Sequence, residues 1–135
     1  MNLVFADALY YVARLNRRDQ YHEQVVEFSR NFHANLLTTD LVLLEVADAL
    51  SKSESRPRIH DFMSRLRNSK TTEVIPASRD LMDRGLELYN QHQDKDKEWS
   101  LTDCTSLVVM RERGISLALT GDKHFEQAGF IALLK

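Results

Sequence analysis

The chain has 135 residues, 43% of them hydrophobic and 28% charged, with a formal net charge of -2, which fits one globular domain over 1–135 that needs no staples. That balance excludes a global electrostatic pull on nucleic acid, so any such contact needs a local basic patch. One cysteine, Cys104, excludes an intrachain disulfide; no apolar run approaches the ~18 residues of a membrane span and no secretory signal is visible, so a cytoplasmic protein is expected.

Leu3-Val4-Phe5-Ala6 reads as a short buried strand, and Asp7 stands at its exit ahead of a helix over Ala8 to Leu15. A carboxylate there is either an N-cap or a ligand group, since open α/β sheets place ligands at strand exits. Arg14, Arg17 and Arg18 follow as a basic cluster, solvated or available to phosphate. Asp19 can cap the next helix, whose Tyr21, Val25, Phe28 and Phe32 make an amphipathic stripe. Leu36-Leu37-Thr38 is a second strand, and Thr39 or Asp40 caps a third helix, Leu41 to Ser51. That helix is apolar nearly all round, and Glu45 breaks it in the middle. A Glu there needs a partner, either a site cation or an Arg, with Asp48 as the competing acid.

Ser55-Arg56-Pro57 opens a helix carrying Arg56, Arg58, Arg65, Arg67 and Lys70, the most basic segment of the chain. Glu73-Val74-Ile75 reads as a third strand, and Ser78 caps a helix in which Leu81, Met82, Gly85, Leu86, Leu88 and Tyr89 are expected to face inward. Gln91 to Glu98 reads as a solvated, flexible loop. Ser100 is then an N-cap with Asp103 at the capping-box spacing. Asp103, Leu107 and Met110 share one helical face, so the carboxylate heads an apolar stripe. It either completes the cap or meets a cation. Cys104 is expected to pack rather than react. Ile115 to Leu119 is a fourth strand, followed at once by Thr120-Gly121-Asp122 and a short helix over Lys123 to Ala128. Phe130 to Leu134 is a last strand. Asp122 repeats the placement of Asp7, and His124 either reaches phosphate or, as expected, lies exposed.

Strand and helix alternate throughout, which predicts an α/β fold with a mostly parallel sheet covered on both faces. If the first and fourth strands are neighbours at the topological switch point, Asp7 and Asp122 fall together. Carboxylates this close need a cation, and oxygens without a His or Cys cluster select Mg²⁺ or Mn²⁺. Such a site suits phosphodiester hydrolysis. A haloacid-dehalogenase-type phosphatase would want a second Asp where Leu9 stands.

Several joined phrases carry a family resemblance: Asp7 after Val4-Phe5-Ala6; Arg18-Asp19-Gln20-Tyr21-His22; Thr38-Thr39 before Glu45; Lys97 through Cys104; and Leu119-Thr120-Gly121-Asp122-Lys123-His124-Phe125. Over essentially its whole length the chain resembles PIN-domain proteins, specifically VapC-type toxin ribonucleases of bacterial toxin–antitoxin pairs. The resemblance implies a three-layer, Rossmann-like α/β/α fold with four or five parallel strands. It also implies Mg²⁺- or Mn²⁺-dependent cleavage of RNA, homodimers and a cognate antitoxin. On it, Asp7 and Asp103 are the leading metal ligands and Asp122 completes the cage. Glu45 binds metal or orients the attacking water, and Thr120 and Ser100 support the ligands by hydrogen bonds. Here Ala8 and Leu9 follow Asp7, where the family often has Ser or Thr. Arg14, Arg17, Arg56, Arg58 and Lys123 are the candidates for guiding the RNA backbone. An RNA-processing nuclease outside a toxin–antitoxin system and a non-catalytic partner-binding module are the alternatives.

Overall fold

The computed structural model describes residues 3–52, 54–91 and 98–134, so most of the loop expected over Gln91 to Glu98 lies outside the described residues. The elements run β1 (Leu3–Ala6), α1 (Ala8–Leu15), α2 (His22–Asn31), β2 (Asn35–Thr39), α3 (Asp40–Ala49), α4 (Arg56–Arg67), β3 (Thr72–Ile75), α5 (Arg79–Gln91), α6 (Leu101–Arg113), β4 (Leu117–Leu119), α7 (Lys123–Gln127) and β5 (Ile131–Ala132). The five strands form one sheet in the order β3-β2-β1-β4-β5. Every neighbouring pair is parallel, with Val4 opposite Leu36 and Phe5 opposite both Leu37 and Ala118. Val4, Phe5 and Ala6 of the central β1 are fully buried, as a strand covered on both faces must be. The chain leaves β1 toward β2 and β3, then returns to β1's other edge with β4. The strand order therefore reverses between β1 and β4, at the place where Asp7 and Asp122 emerge.

Local chemistry explains the helix starts. Thr39 caps α3 by accepting from the Val42 amide at 3.1 Å. Asp40 instead ties the first turn of α3 to Ala77 N and Arg67. Asp19 does not cap α2 directly; its Oδ1 accepts from Tyr21 N at 2.8 Å, an Asx-type turn just ahead of the helix. Gly114 ends α6 with φ 66°, a left-handed conformation that suits glycine. The last strand is shorter than the apolar run Phe130 to Leu134 implies, because only Ile131 and Ala132 pair with β4.

Helix α5 departs from its expected face. Leu81, Gly85 and Leu88 are buried, whereas Met82, Leu86 and Tyr89 are exposed. Gly85 decides between them, because a Cβ there would stand 2.5 Å from Thr105 Cγ2 on α6. Only a glycine permits this close approach of α5 to α6. Gly85→Val is expected to destabilise the fold by about 2–4 kcal/mol, through overpacking against Thr105 that outweighs valine's better helix propensity than glycine. Denaturant unfolding measures it, and a change below about 1 kcal/mol would mean the two helices separate freely.

Candidate functional site

Four acids from four places in the sequence meet at the carboxyl ends of β1 and β4. Asp7 occupies the N-cap position of α1, yet its side chain makes no capping bond to that helix. Its Oδ2 accepts instead from the Thr120 hydroxyl at 3.0 Å. The same hydroxyl oxygen accepts from Asp122 N at 3.0 Å, so Thr120 joins the two strand exits. Behind Asp7, the Thr38 hydroxyl donates to Ala6 O at 2.9 Å and locks β2 against the exit of β1.

Asp103 heads α6 in a reciprocal capping box: its amide donates to Ser100 Oγ at 3.0 Å, and its Oδ2 accepts from Ser100 N at 3.1 Å. Leu107 and Met110, on the same face, are fully buried. Asp122 caps α7, its Oδ1 accepting from His124 N at 3.0 Å. Trp99, buried just before α6, donates its indole N–H to Gln127 Oε1 at 3.1 Å and so connects the head of α6 to α7. Glu45 reaches the cluster from α3 and is half-buried.

The electrostatics record the crowding. Burial pushes the Asp7 carboxyl from 3.8 up to about 7; the Asp103 and Glu45 charges push the same way, against the Ala8 amide and the Thr120 hydroxyl. Burial also raises Glu45, with Asp103, Asp122 and Asp48 adding repulsion. It raises Asp103 as well, against the Ser100 amide, with Asp122 adding to the rise and His124 offsetting it. No Arg or Lys is paired with any of the four acids among the described residues, whose ion pairs to Arg involve Asp40, Asp61, Glu73, Asp80 and Glu112. A cluster that is largely buried, mutually repulsive and paired with no Arg or Lys among the described residues has the chemistry of a divalent-cation cage.

His124 is the residue that sequence reading missed. It is not exposed: its Nδ1 lies 3.0 Å from Asp103 Oδ2 and 3.1 Å from Asp122 Oδ1. Asp103, Asp122 and His124 each offer a ligand atom within 4.8 Å of the others. The signal available was its spacing two residues after Asp122, but the approach of α7 to α6 is a tertiary fact.

The basic candidates divide. Lys123 is exposed next to Asp122, at the acid end. Arg14 and Arg58 line a cleft of about 490 Å³ with Leu36 and Thr72, where β2 and β3 begin, at the opposite end of the sheet. Arg17 joins Arg58 in an adjoining cleft, and Arg56 donates to Ser51 O at 2.8 Å. Cys104, buried behind Asp103, has its thiol pushed up to about 11 by burial and by that charge, so it packs and does not react. Among the described residues no helix is long and apolar enough to cross a membrane.

Known proteins share this fold. The chain is 27% identical over 129 residues to the 23S rRNA-specific endonuclease VapC20 of Mycobacterium tuberculosis, covering 96% of each chain. The crystal structure of that protein, described as a Sarcin-Ricin loop cleaving toxin, superposes with a TM-score of 0.85 at 26% identity, covering 98% of this chain and 99% of that one. FitAcB from Neisseria gonorrhoeae shares the fold at 14% identity, with a TM-score of 0.65 over 98% of this chain and 96% of that one. The PIN domain family model matches residues 4–131. With that match over nearly its whole length, and with acids converging where β1 and β4 diverge, the chain belongs to the PIN-domain family.

Proposed function

We propose that this chain is a Mg²⁺- or Mn²⁺-dependent endoribonuclease that hydrolyses RNA phosphodiester bonds, the toxin of a toxin–antitoxin pair restrained by a cognate antitoxin. The observation that carries the reading is the convergence of Asp7, Glu45, Asp103 and Asp122 with no Arg or Lys paired with them among the described residues. The likeness to an endonuclease toxin over both full chains supports the substrate class and the biological role. The antitoxin partner and the homodimer that the family resemblance implies belong to the same proposal.

In this reading Asp7, Asp103 and Asp122 hold the ion. Such an ion, when bound, supplies polarisation of the phosphodiester and a more acidic water. The protein's own part is positioning and proton handling. Thr120 fixes the Asp7 carboxylate, and the Ser100 box fixes Asp103. Glu45, half-buried with its carboxyl raised, is placed to take the proton of the attacking water. Lys123, exposed beside Asp122 at the acid end, would meet a phosphate of the substrate strand. Arg14, Arg17, Arg56 and Arg58, toward the far end of the sheet, would engage only more distant parts of an RNA.

Cleavage of RNA is to be measured with Mg²⁺, with Mn²⁺, with chelator, and in Asp7→Asn and Asp103→Asn. Loss with chelator and in both variants is expected. Cleavage that survives chelator and both variants would overturn the assignment, and tight binding of a protein partner without cleavage of any RNA would favour a non-catalytic module.

A further inference from the structure

His124 is held, not draped. Its amide is fixed by Asp122 Oδ1 at 3.0 Å. The next residue, Phe125, is fully buried and lies 6.3 Å, ring to ring, from Phe5 of the central strand. With Phe125 anchored in the core, α7 holds the imidazole against the acids.

The contacts of its Nδ1 are unusual for a hydrogen-bonded histidine. The atom is shut off from solvent, and although two carboxylate oxygens lie 3.0 and 3.1 Å away, neither is aligned for a ring N–H to donate. An Asp–His hydrogen bond accounts for the distance but not the direction. A shared ion accounts for both. Adjacent ligands on an octahedral ion with bonds of about 2.1 Å stand about 3.0 Å apart, which matches both separations. The third atom pair, between the two carboxylates, also falls within the 4.8 Å span.

We propose that His124 is a metal ligand, its Nδ1 coordinating the same divalent ion as Asp103 and Asp122, so that this site prefers Mn²⁺ and later first-row ions over Mg²⁺. The inference rests on reading the acid cluster as a metal site. It departs from the all-oxygen donor set that the sequence suggests. Imidazole nitrogen adds little for Mg²⁺, which takes water or carboxylate in its place, but strengthens binding of transition ions.

The test uses the metal-free full chain titrated with Mn²⁺ or Mg²⁺. Pulsed electron paramagnetic resonance of the Mn²⁺-loaded wild type is expected to show the hyperfine coupling of a directly bound nitrogen. His124→Ala is expected to abolish that coupling and weaken Mn²⁺ binding by about tenfold or more, with Mg²⁺ affinity changed less than about threefold. Wild-type Mn²⁺ without nitrogen coupling would overturn the proposal, as would an unchanged Mn²⁺/Mg²⁺ affinity ratio in folded His124→Ala. Should that variant not fold, the wild-type spectrum and His124→Gln decide. Asp103→Asn separates the two readings. If it loses both ions while His124→Ala loses neither, the acid site stands and the histidine ligand falls. If wild type binds neither ion, both fall.

Discussion

Asp7→Asn is expected to lower RNA cleavage by about a thousandfold while making the metal-free protein more stable at pH 8, the activity loss corresponding to roughly 4 kcal/mol of lost transition-state stabilisation. The stability gain follows from linkage. Asp7 is only 7% exposed, and its carboxyl titrates near 3.8 when unfolded and at about 7 when folded. Below pH 4 the group is protonated in both states and costs nothing. As pH rises toward 7 the unfolded chain loses the proton while the folded chain keeps it, so stability falls through that window and stays low above it. The cost at pH 8 is on the order of 4 kcal/mol. Asparagine keeps an oxygen for Thr120 and carries no charge, so that cost disappears. Metal-free wild type should melt higher at pH 5.5 than at pH 8, and Asp7→Asn should flatten this contribution. A variant that loses cleavage and is also less stable at pH 8 would mean the carboxylate has a compensating partner in the fold.

Thr120→Val is expected to reduce cleavage by about 10- to 100-fold and stability by about 1–3 kcal/mol, although it leaves every acid in place. The substitution nearly preserves shape at a fully buried position. It removes the donor to Asp7 and leaves the Asp122 amide without its acceptor. Thr120→Ser retains the hydroxyl and should recover most of the cleavage. Equal losses in Val and Ser would point to the missing methyl packing rather than the hydroxyl.

What could be read from the sequence was what depends on neighbours in the chain. The Ser100–Asp103 box is a matter of three residues' spacing, and both of its hydrogen bonds form. Asp7 and Asp122 follow apolar runs too short to be anything but strands, so their placement at strand exits was legible, and the adjacency of β1 and β4 brings those exits together. The inward face of α5 was not legible, because Leu81, Gly85 and Leu88 have the same spacing as Met82, Leu86 and Tyr89. The choice between those stripes is made by Thr105 on another helix. His124 was misread for the same reason: its surroundings come from α6, distant in sequence, and a two-residue offset from Asp122 carries no angle.

The acid cluster draws on the exit of the first strand and on the exit of β4, near the end of the described residues, and the second edge of β1 is covered only when β4 arrives. During synthesis, therefore, no nascent fragment that ends before Asp122 holds all four acids. The assembled site forms late, only after the chain through Asp122 has emerged and β4 has docked against β1.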